Sequence, residues 1–576
     1  MLTRTLLRAG FAACALMVAA CAAQSPPTPT DDEAIVTTGS RIPGTADQTA
    51  PPPAPPPPPV VAQEQRFSAG RGVGALTGVP YAQYAPQPMP GDIDRDRYEH
   101  QNDNPIHQVS ADPISTFSID VDSASYANVR RYLNEGRLPP RDAVRVEELI
   151  NYFNYDYPLP QTRAQPFSTT VAVTPSPWAE GRQLVHIGLQ GYNLVPRERP
   201  PLNLVLLLDV SGSMEPADRL PLLIKAFHGM VDQLTARDKI SIVVYAGAAG
   251  SVLDPTRGDQ HGVINAALDN LHAGGSTAGG EGLRLAYTLA ERNFSPNAVN
   301  RVILATDGDF NVGVNDPQQL QDFISHERES GIYLSVFGVG HNNYNDALMQ
   351  RLAQNGNGVA SYLDTLNEAR RVLHDELASN LFTIANDVKI QVEFNPQRVA
   401  EYRLIGYESR MLNREDFNND RVDAGEIGAG SAVTAIYEIV PVGGRTFDDP
   451  LRYQQQAAPP PGTASELAFL RIRYKLPGQN TSRLIERPIT NADAYASIDR
   501  APESTRWATA VAGYGQLLRG ESYLDHNYSW DDVVRLAQSA RGADEYGWRA
   551  EFVQLARTAA TLGPLPVADN SVPERR

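Results

Sequence analysis

From residue 202 to about 380, short continuous apolar runs alternate with stretches whose apolar residues recur every three or four positions. The runs LNLVLLL, KISIVVYA, RVILAT and IYLSVFGVG are apolar at successive positions, as strands buried on both faces require. The intervening stretches near 219–234, 260–271, 280–292, 317–329, 345–354 and 365–380 read as amphipathic helices. Such strands separated by such helices predict an α/β fold, a doubly wound and mostly parallel sheet with ligands at the carboxyl ends of its strands. On either side the period becomes two. FSTTVAVTPSPW (167–178) and RQLVHIGLQGY (182–192) come before the α/β unit. DVKIQVEFNP, AEYRLIGYE, GSAVTAIYEIVPVG, ELAFLRIRYKLPG and SRLIERPI come after it, and they predict an antiparallel sheet or sandwich. If the two earlier strands join the later ones, the α/β unit is inserted into a β-rich domain and both its ends lie on one side. Residues 110–160 predict a short strand, a helix near 124–135 capped by Ser123, a proline turn, and a helix near 142–153 capped by Asp142. Residues 502–561 predict closing helices whose apolar stripe packs on the sheet.

The first residues follow none of these periods. MLTRTLLRAGFAACALMVAACAAQ has two early arginines, an apolar stretch over 9–20 and small residues before Cys21, as a secretory signal does, and it is too short to span a bilayer. Residues 21–95, with PPPAPPPPPVV at 51–61, read as a proline-stiffened, disordered tether. The expected division is therefore a signal over 1–20, the tether over 21–95, an N-terminal extension over 96–198, the α/β domain over 199–382, and a β-rich domain with closing helices over 383–576.

Charge narrows the partners. The chain carries 50 Lys plus Arg against 67 Asp plus Glu, a formal charge of −17, and loss of Arg4 and Arg8 with the signal deepens it to about −19. That argues against nucleic acid and against electrostatic adhesion to a membrane surface. Only two cysteines are present. If Cys14 leaves with the signal, no disulfide forms and packing alone holds the fold.

Candidate chemistry follows the first buried strand. Asp209, Ser211 and Ser213 form a DxSxS motif, with acid and hydroxyl groups on alternate positions of a loop and Gly212 allowing a tight turn. GGSTAGGEG (274–282) offers Thr277 before a helix, and ATDGD (305–309) offers Asp307 at the end of another buried strand. Carboxylates and hydroxyls suit a hard cation such as magnesium, with manganese and calcium as the other candidates. Asp and Ser also cap helices and make turns, so each piece alone is weak; the signal is their co-occurrence at expected strand ends. A second run, Asp416, Asn418 and Asp420 in REDFNNDRVDAGE (414–426), partly matches a calcium loop. However, Arg421 stands where an EF-hand needs Gly and Ile427 where it needs Glu, so a turn between two strands is the competing reading. The chain has no GxSxG, HExxH or Walker motif, and GGSTAGGEG lacks the lysine of a phosphate loop, so an enzyme is not expected.

Several segments resemble known families. STFSIDVDSASYANVRRYLN, VRVEELINYFNYDYP and LIGYESRMLNREDFNNDRVDAGEIGAG closely resemble bacterial lipoproteins that carry a von Willebrand factor type A domain, from about 100 to the end of the chain. The pattern DxSxS, Thr and Asp resembles the metal-ion-dependent adhesion site of that domain family. This resemblance implies that Ser211, Ser213 and Thr277 touch the metal directly, that Asp209 and Asp307 act mainly through water, and that an open position attracts a carboxylate of a partner protein. Val18 to Cys21 resembles a bacterial lipobox, which implies cleavage before Cys21 and lipid on its sulfur and new amino terminus; ordinary cleavage with Cys21 incidental is the alternative. Ala22 rather than Asp at the next position implies the outer membrane, facing periplasm or surface, by the bacterial sorting pattern. EAIVTTGSRIPG (33–44) resembles the segment around the energy-coupling box of TonB-dependent receptors, with 33–42 as the strand a TonB-type partner would take; a chance β-prone patch is the other reading. The expected function is partner binding through the metal site by a lipid-anchored envelope protein. The alternative is a non-catalytic envelope scaffold in which the metal is structural, linked through that segment to TonB-dependent transport.

Overall fold

The computed structural model describes residues 95–563 except 163, 196, 247, 276–278, 309–316, 342 and 449–464. Cys14 and Cys21, the tether, the 33–44 segment and Thr277 lie outside the described residues. The N-terminal extension supplies β1 (His107–Gln108), β2 (Ile114–Ser118), α1 (Ala124–Asn134), α2 (Val146–Asn151), β3 (Phe167–Pro175) and β4 (Gln183–Gly191). The α/β unit follows with β5 (Leu202–Asp209), α3 (Leu220–Val231), β6 (Lys239–Tyr245), β7 (Ala249–Arg257), α4 (His261–Asp269), α5 (Gly279–Arg292) and β8 (Val299–Thr306). It continues through α6 (Pro317–Glu329), β9 (Ile332–Val339), α7 (Asp346–Asn355), β10 (Ala360–Leu363), α8 (Leu366–Arg370) and α9 (Leu377–Leu381). The remainder comprises β11 (Thr383–Phe394), β12 (Val399–Ile405), β13 (Ile427–Gly428), β14 (Ala432–Pro441), β15 (Glu466–Lys475), β16 (Arg483–Thr490), α10 (Glu503–Arg519), α11 (Trp530–Ser539) and α12 (Trp548–Leu562).

The α/β unit is a six-stranded sheet ordered β10-β9-β8-β5-β6-β7, parallel except for the antiparallel edge strand β7. Strand β5 is buried at every position. Its alternate residues feed two cores: Leu204, Leu206 and Leu208 join the cluster that includes α3 and α4, while Val205 and Leu207 join the one that includes α5, α6 and α7. The continuous apolar run is thus explained by burial on both faces.

The alternating strands form two five-stranded antiparallel sheets, one ordered β1-β12-β14-β4-β3 and the other β13-β11-β15-β16 with β2 also paired to β11. Their inner faces meet through aromatic contacts: Phe394 with Tyr402 and Tyr437 at ring separations of 4.4 and 5.3 Å, Phe117 with Tyr437 at 6.2 Å, and Phe167 with Tyr474 at 5.0 Å. This is a sandwich. Because β3 and β4 pair with β14, the α/β unit is an insertion between β4 and β11. Helices α10 to α12 cover the outer face, with Trp507, Tyr514 and Phe552 packed against Leu184, Ile405 and Ile436. Among the described residues no helix is long and apolar enough to cross a membrane.

Three local expectations are corrected. Ser123 precedes α1 but makes no side-chain cap; its hydroxyl accepts from Arg371 Nη2 at 2.7 Å instead. Asp142 lies in a 3-10 turn over Arg141–Ala143 and pairs with His100, while α2 begins only at Val146, because the Ser125 hydroxyl donates to the Ala143 carbonyl and accepts the Arg145 N–H, holding that backbone outside a helix. The helix expected near 365–380 is broken into α8, a π-turn over Arg371–Asp375, and α9. There the buried Arg371 draws Glu368 and Glu376 around its guanidinium.

Candidate metal centre

Asp209 ends β5, and a 3-10 turn over Gly212–Met214 follows at once. Asp209 is fully buried, and its Oδ1 accepts the backbone N–H of Ser211 at 2.9 Å. This bond closes the loop so that Ser211 Oγ and Ser213 Oγ lie 3.0 Å apart. Ser211 is buried and Ser213 faces solvent, which gives the pair an inner and an outer member.

Two other loops converge here because of strand order. Strand β8 lies beside β5, so the Thr306 hydroxyl donates to Asp209 Oδ2 at 3.2 Å and Asp307 follows, 1% exposed. The loop before α5 is held by its backbone: Gly274 N–H donates to the Val210 carbonyl at 2.7 Å and Gly212 N–H to the Gly275 carbonyl at 3.1 Å. Asp209, Ser211, Ser213 and Asp307 are thus brought together. The described residues just before Thr277 are bonded to the DxSxS loop.

Burial raises the Asp209 carboxyl above its ordinary range, the Ser211 N–H and hydroxyl and the Tyr245 hydroxyl pull it back, and the neighbouring Asp307 charge pushes it up. Two buried carboxylates share a small space, and only the Asp307 side of it is met by a cationic side chain among the described contacts. The donor set is oxygen throughout, with no sulfur or imidazole among the named residues, so the residues fit a hard divalent ion.

Sequence reasoning missed Arg219. Its Nη1 donates to Asp307 Oδ2 and to the Ser213 carbonyl at 2.8 Å, and its Nη2 donates to the His341 carbonyl at 3.0 Å. No spacing rule marks it. The clue in the sequence is an arginine six residues after the second serine of an acidic loop.

The second candidate, Asp416, Asn418 and Asp420, is engaged differently. Asp416 Oδ2 accepts the Asn413 N–H at 3.1 Å, capping a 3-10 turn. Asn418 Oδ1 accepts from Arg473, and Asp420 Oδ1 accepts from Arg473 Nε at 3.1 Å and the Ser482 hydroxyl at 2.7 Å. Lys389 Nζ donates to the Asp416 and Asn419 carbonyls, and Lys475 Nζ to the Asp420 carbonyl. Of the two readings, these contacts favour the turn between strands, because the side-chain oxygens of Asn418 and Asp420 are engaged by Arg473 and Ser482 and that of Asp416 by Asn413.

A buried acidic group outside the α/β unit, Asp120, Asp122 and Glu148, is likewise matched by arginine. Arg410 donates to Asp120 and Asp122 at 3.0 and 2.9 Å, and Arg145 pairs with Glu148. His186 is buried in β4 and its pKa is depressed by burial to about 3, which leaves it a neutral core residue.

Comparison with known proteins bears on this geometry. The family described as von Willebrand factor type A domain matches residues 203–375, that described as von Willebrand factor matches 92–186, and that described as uncharacterized protein YfbK, C-terminal, matches 379–562. The chain is 46% identical over 470 residues to YfbK of Escherichia coli (strain K12), covering 80% of this chain and 81% of that protein. Among solved structures it is similar to a von Willebrand factor type A protein from Catenulispora acidiphila, at 15% identity over 70% of this chain and 91% of that one, TM-score 0.38. It is also similar to the conserved hypothetical protein BatB from Bacteroides thetaiotaomicron, at 24% identity over 31% of this chain and 97% of that one, TM-score 0.26.

Proposed function

The chain belongs to the family of the E. coli protein YfbK, built on a von Willebrand factor type A domain, and from that membership we propose that it binds a carboxylate of a partner protein through a magnesium-dependent site. Such domains commonly bind a divalent metal and engage other proteins. The observation that carries the reading is the meeting of Asp209, Ser211, Ser213 and Asp307 at the carboxyl ends of adjacent strands, with Ser213 on the solvent side. Ser211, Ser213 and Thr277 would hold the ion, and Asp209 and Asp307 would hold its waters and balance its charge. When bound, the ion supplies an electrophilic position for a carboxylate oxygen. Asp209 is held by Ser211 N–H and Thr306 hydroxyl, so its carboxylate is oriented before the ion arrives.

In the same reading the signal over 1–20 is removed, Cys21 carries lipid, and residues 21–95 tether the folded part to the envelope. The site acts by binding and performs no chemistry. Isothermal titration of the mature chain with magnesium, together with crosslinked capture from membranes in magnesium or chelator, tests this. Magnesium binding and magnesium-dependent capture are expected from the wild type and are expected to be absent from Asp209→Ala. A correctly folded Asp209→Ala protein that retains both would overturn the reading.

A further inference from the structure

Arg219 reaches across the carboxyl end of the α/β sheet and joins three loops through one guanidinium. It holds Asp307 of the β8 loop, the Ser213 carbonyl of the DxSxS loop, and the His341 carbonyl of the loop after β9. Its side chain is 13% exposed. The β9 loop is shaped to admit it: Gly340 adopts φ +71°, and a Cβ there would stand 2.3 Å from Arg219 Nε. A surface arginine has no need of such a cradle, so this one belongs to the site.

Its charge changes what the site can do. Two buried carboxylates and a divalent ion sum to a neutral centre, whereas adding a guanidinium that stays protonated at every working pH leaves the loaded centre with a net positive charge. The acidic groups close to Arg219 in the chain, Glu215 and Asp218, face solvent rather than its guanidinium: Glu215 is exposed, and Asp218, 39% exposed, turns toward the His341 ring, so water screens both. We propose that Arg219 is the charge-setting residue of this site: it weakens the hold on the divalent ion and keeps the loaded site electropositive, so that an anionic carboxylate is selected as the fourth-party ligand. The inference rests on the metal reading above. An arginine suits the role better than a lysine because its fork holds Asp307 and two carbonyls in one fixed geometry.

The test is magnesium and manganese titration calorimetry on the mature chain, with folding checked by circular dichroism. Arg219→Gln is expected to bind magnesium about tenfold more tightly than wild type at low ionic strength, with the gain shrinking as salt is raised. Arg219→Lys, which keeps the charge and loses the fork, is expected to bind magnesium less tightly than Arg219→Gln and closer to wild type. Gly340→Ala, which forces the arginine off its seat, is the second variant and is expected to tighten binding severalfold should Arg219→Gln fail to fold. The carboxylate arm uses acetate as probe against manganese-loaded protein, read by water-proton relaxation. Acetate should displace metal-bound water at lower concentration in wild type than in Arg219→Gln. Unchanged or weaker magnesium binding by Arg219→Gln, with Asp209→Ala abolishing it, would overturn the role of Arg219 and leave the metal reading intact. Wild type binding no better than Asp209→Ala would overturn both.

Discussion

Single residues in this protein carry titratable groups into places where water cannot reach. Glu147 is 1% exposed, and burial together with Glu408, Asp120 and Glu148 pushes its pKa up to about 8. The folded state therefore keeps a proton that the unfolded chain, with an ordinary value of 4.5, has lost at neutral pH. The folded state binds more protons, so this group's contribution is full below about 4.5 and is lost as pH rises through about 8. Glu147→Gln is expected to match the wild type in acid and to melt at a higher temperature above pH 8. A melting difference that stays constant from pH 5 to 9 would show that the proton is not involved.

At the scale of elements, the closing helices stand on aromatic contacts. Phe552 of α12 meets Phe153, Trp507 and Tyr514 at ring separations of 5.7, 5.2 and 4.9 Å. Truncating a fully buried phenylalanine in such a nest leaves a cavity its rigid neighbours cannot fill. Phe552→Ala should therefore cost about 3–5 kcal/mol in urea unfolding. The element pattern also explains what sequence periods revealed and what they hid. Strands β5, β6, β8 and β9 are legible because burial on both faces demands an unbroken apolar run. Strand β7, AGSVLDPTR, is an edge strand exposed at most positions and carries Asp254 and Pro255, so nothing in its composition announces a strand. Strand β10 has four residues, too few to show any period.

At the largest scale, the parts of the chain between residues 95 and 563 are joined by buried arginines. Arg130 of α1 donates to Asp364 Oδ2 at 2.7 Å and Glu368 Oε2 at 2.8 Å in the α/β unit, and to Glu551 Oε2 at 3.2 Å in α12. Other residues of the same helix, Ala124 and Ala127, enter the α/β core, while Tyr126, Val129 and Leu133 enter the core of the closing helices. The N-terminal extension is therefore a wedge shared by both. Arg130→Met is expected to lower stability by about 3–5 kcal/mol, because Asp364, 5% exposed, is left buried without its partner. Scanning calorimetry checks this. One transition at a lower temperature is expected, and two separated transitions in the wild type would contradict the shared wedge.

The sequence alone determined the buried apolar strands and amphipathic helices of the α/β unit, the alternating strands on either side of it, and the loops bearing Asp209, Ser211, Ser213 and Asp307. These follow from local properties: the period of apolar residues, and a strand end that must be followed by a loop. That the unit is an insertion was decided by β4 pairing with β14. Tertiary structure also decided which charge meets which. Arg219 stands 88 positions from Asp307, Arg130 stands 421 from Glu551, and the lysines that fill the oxygens around Asp416 and Asp420 come from neighbouring strands. A charge acts through space and leaves no period along the chain, so its partner becomes visible only when the fold has brought the two together.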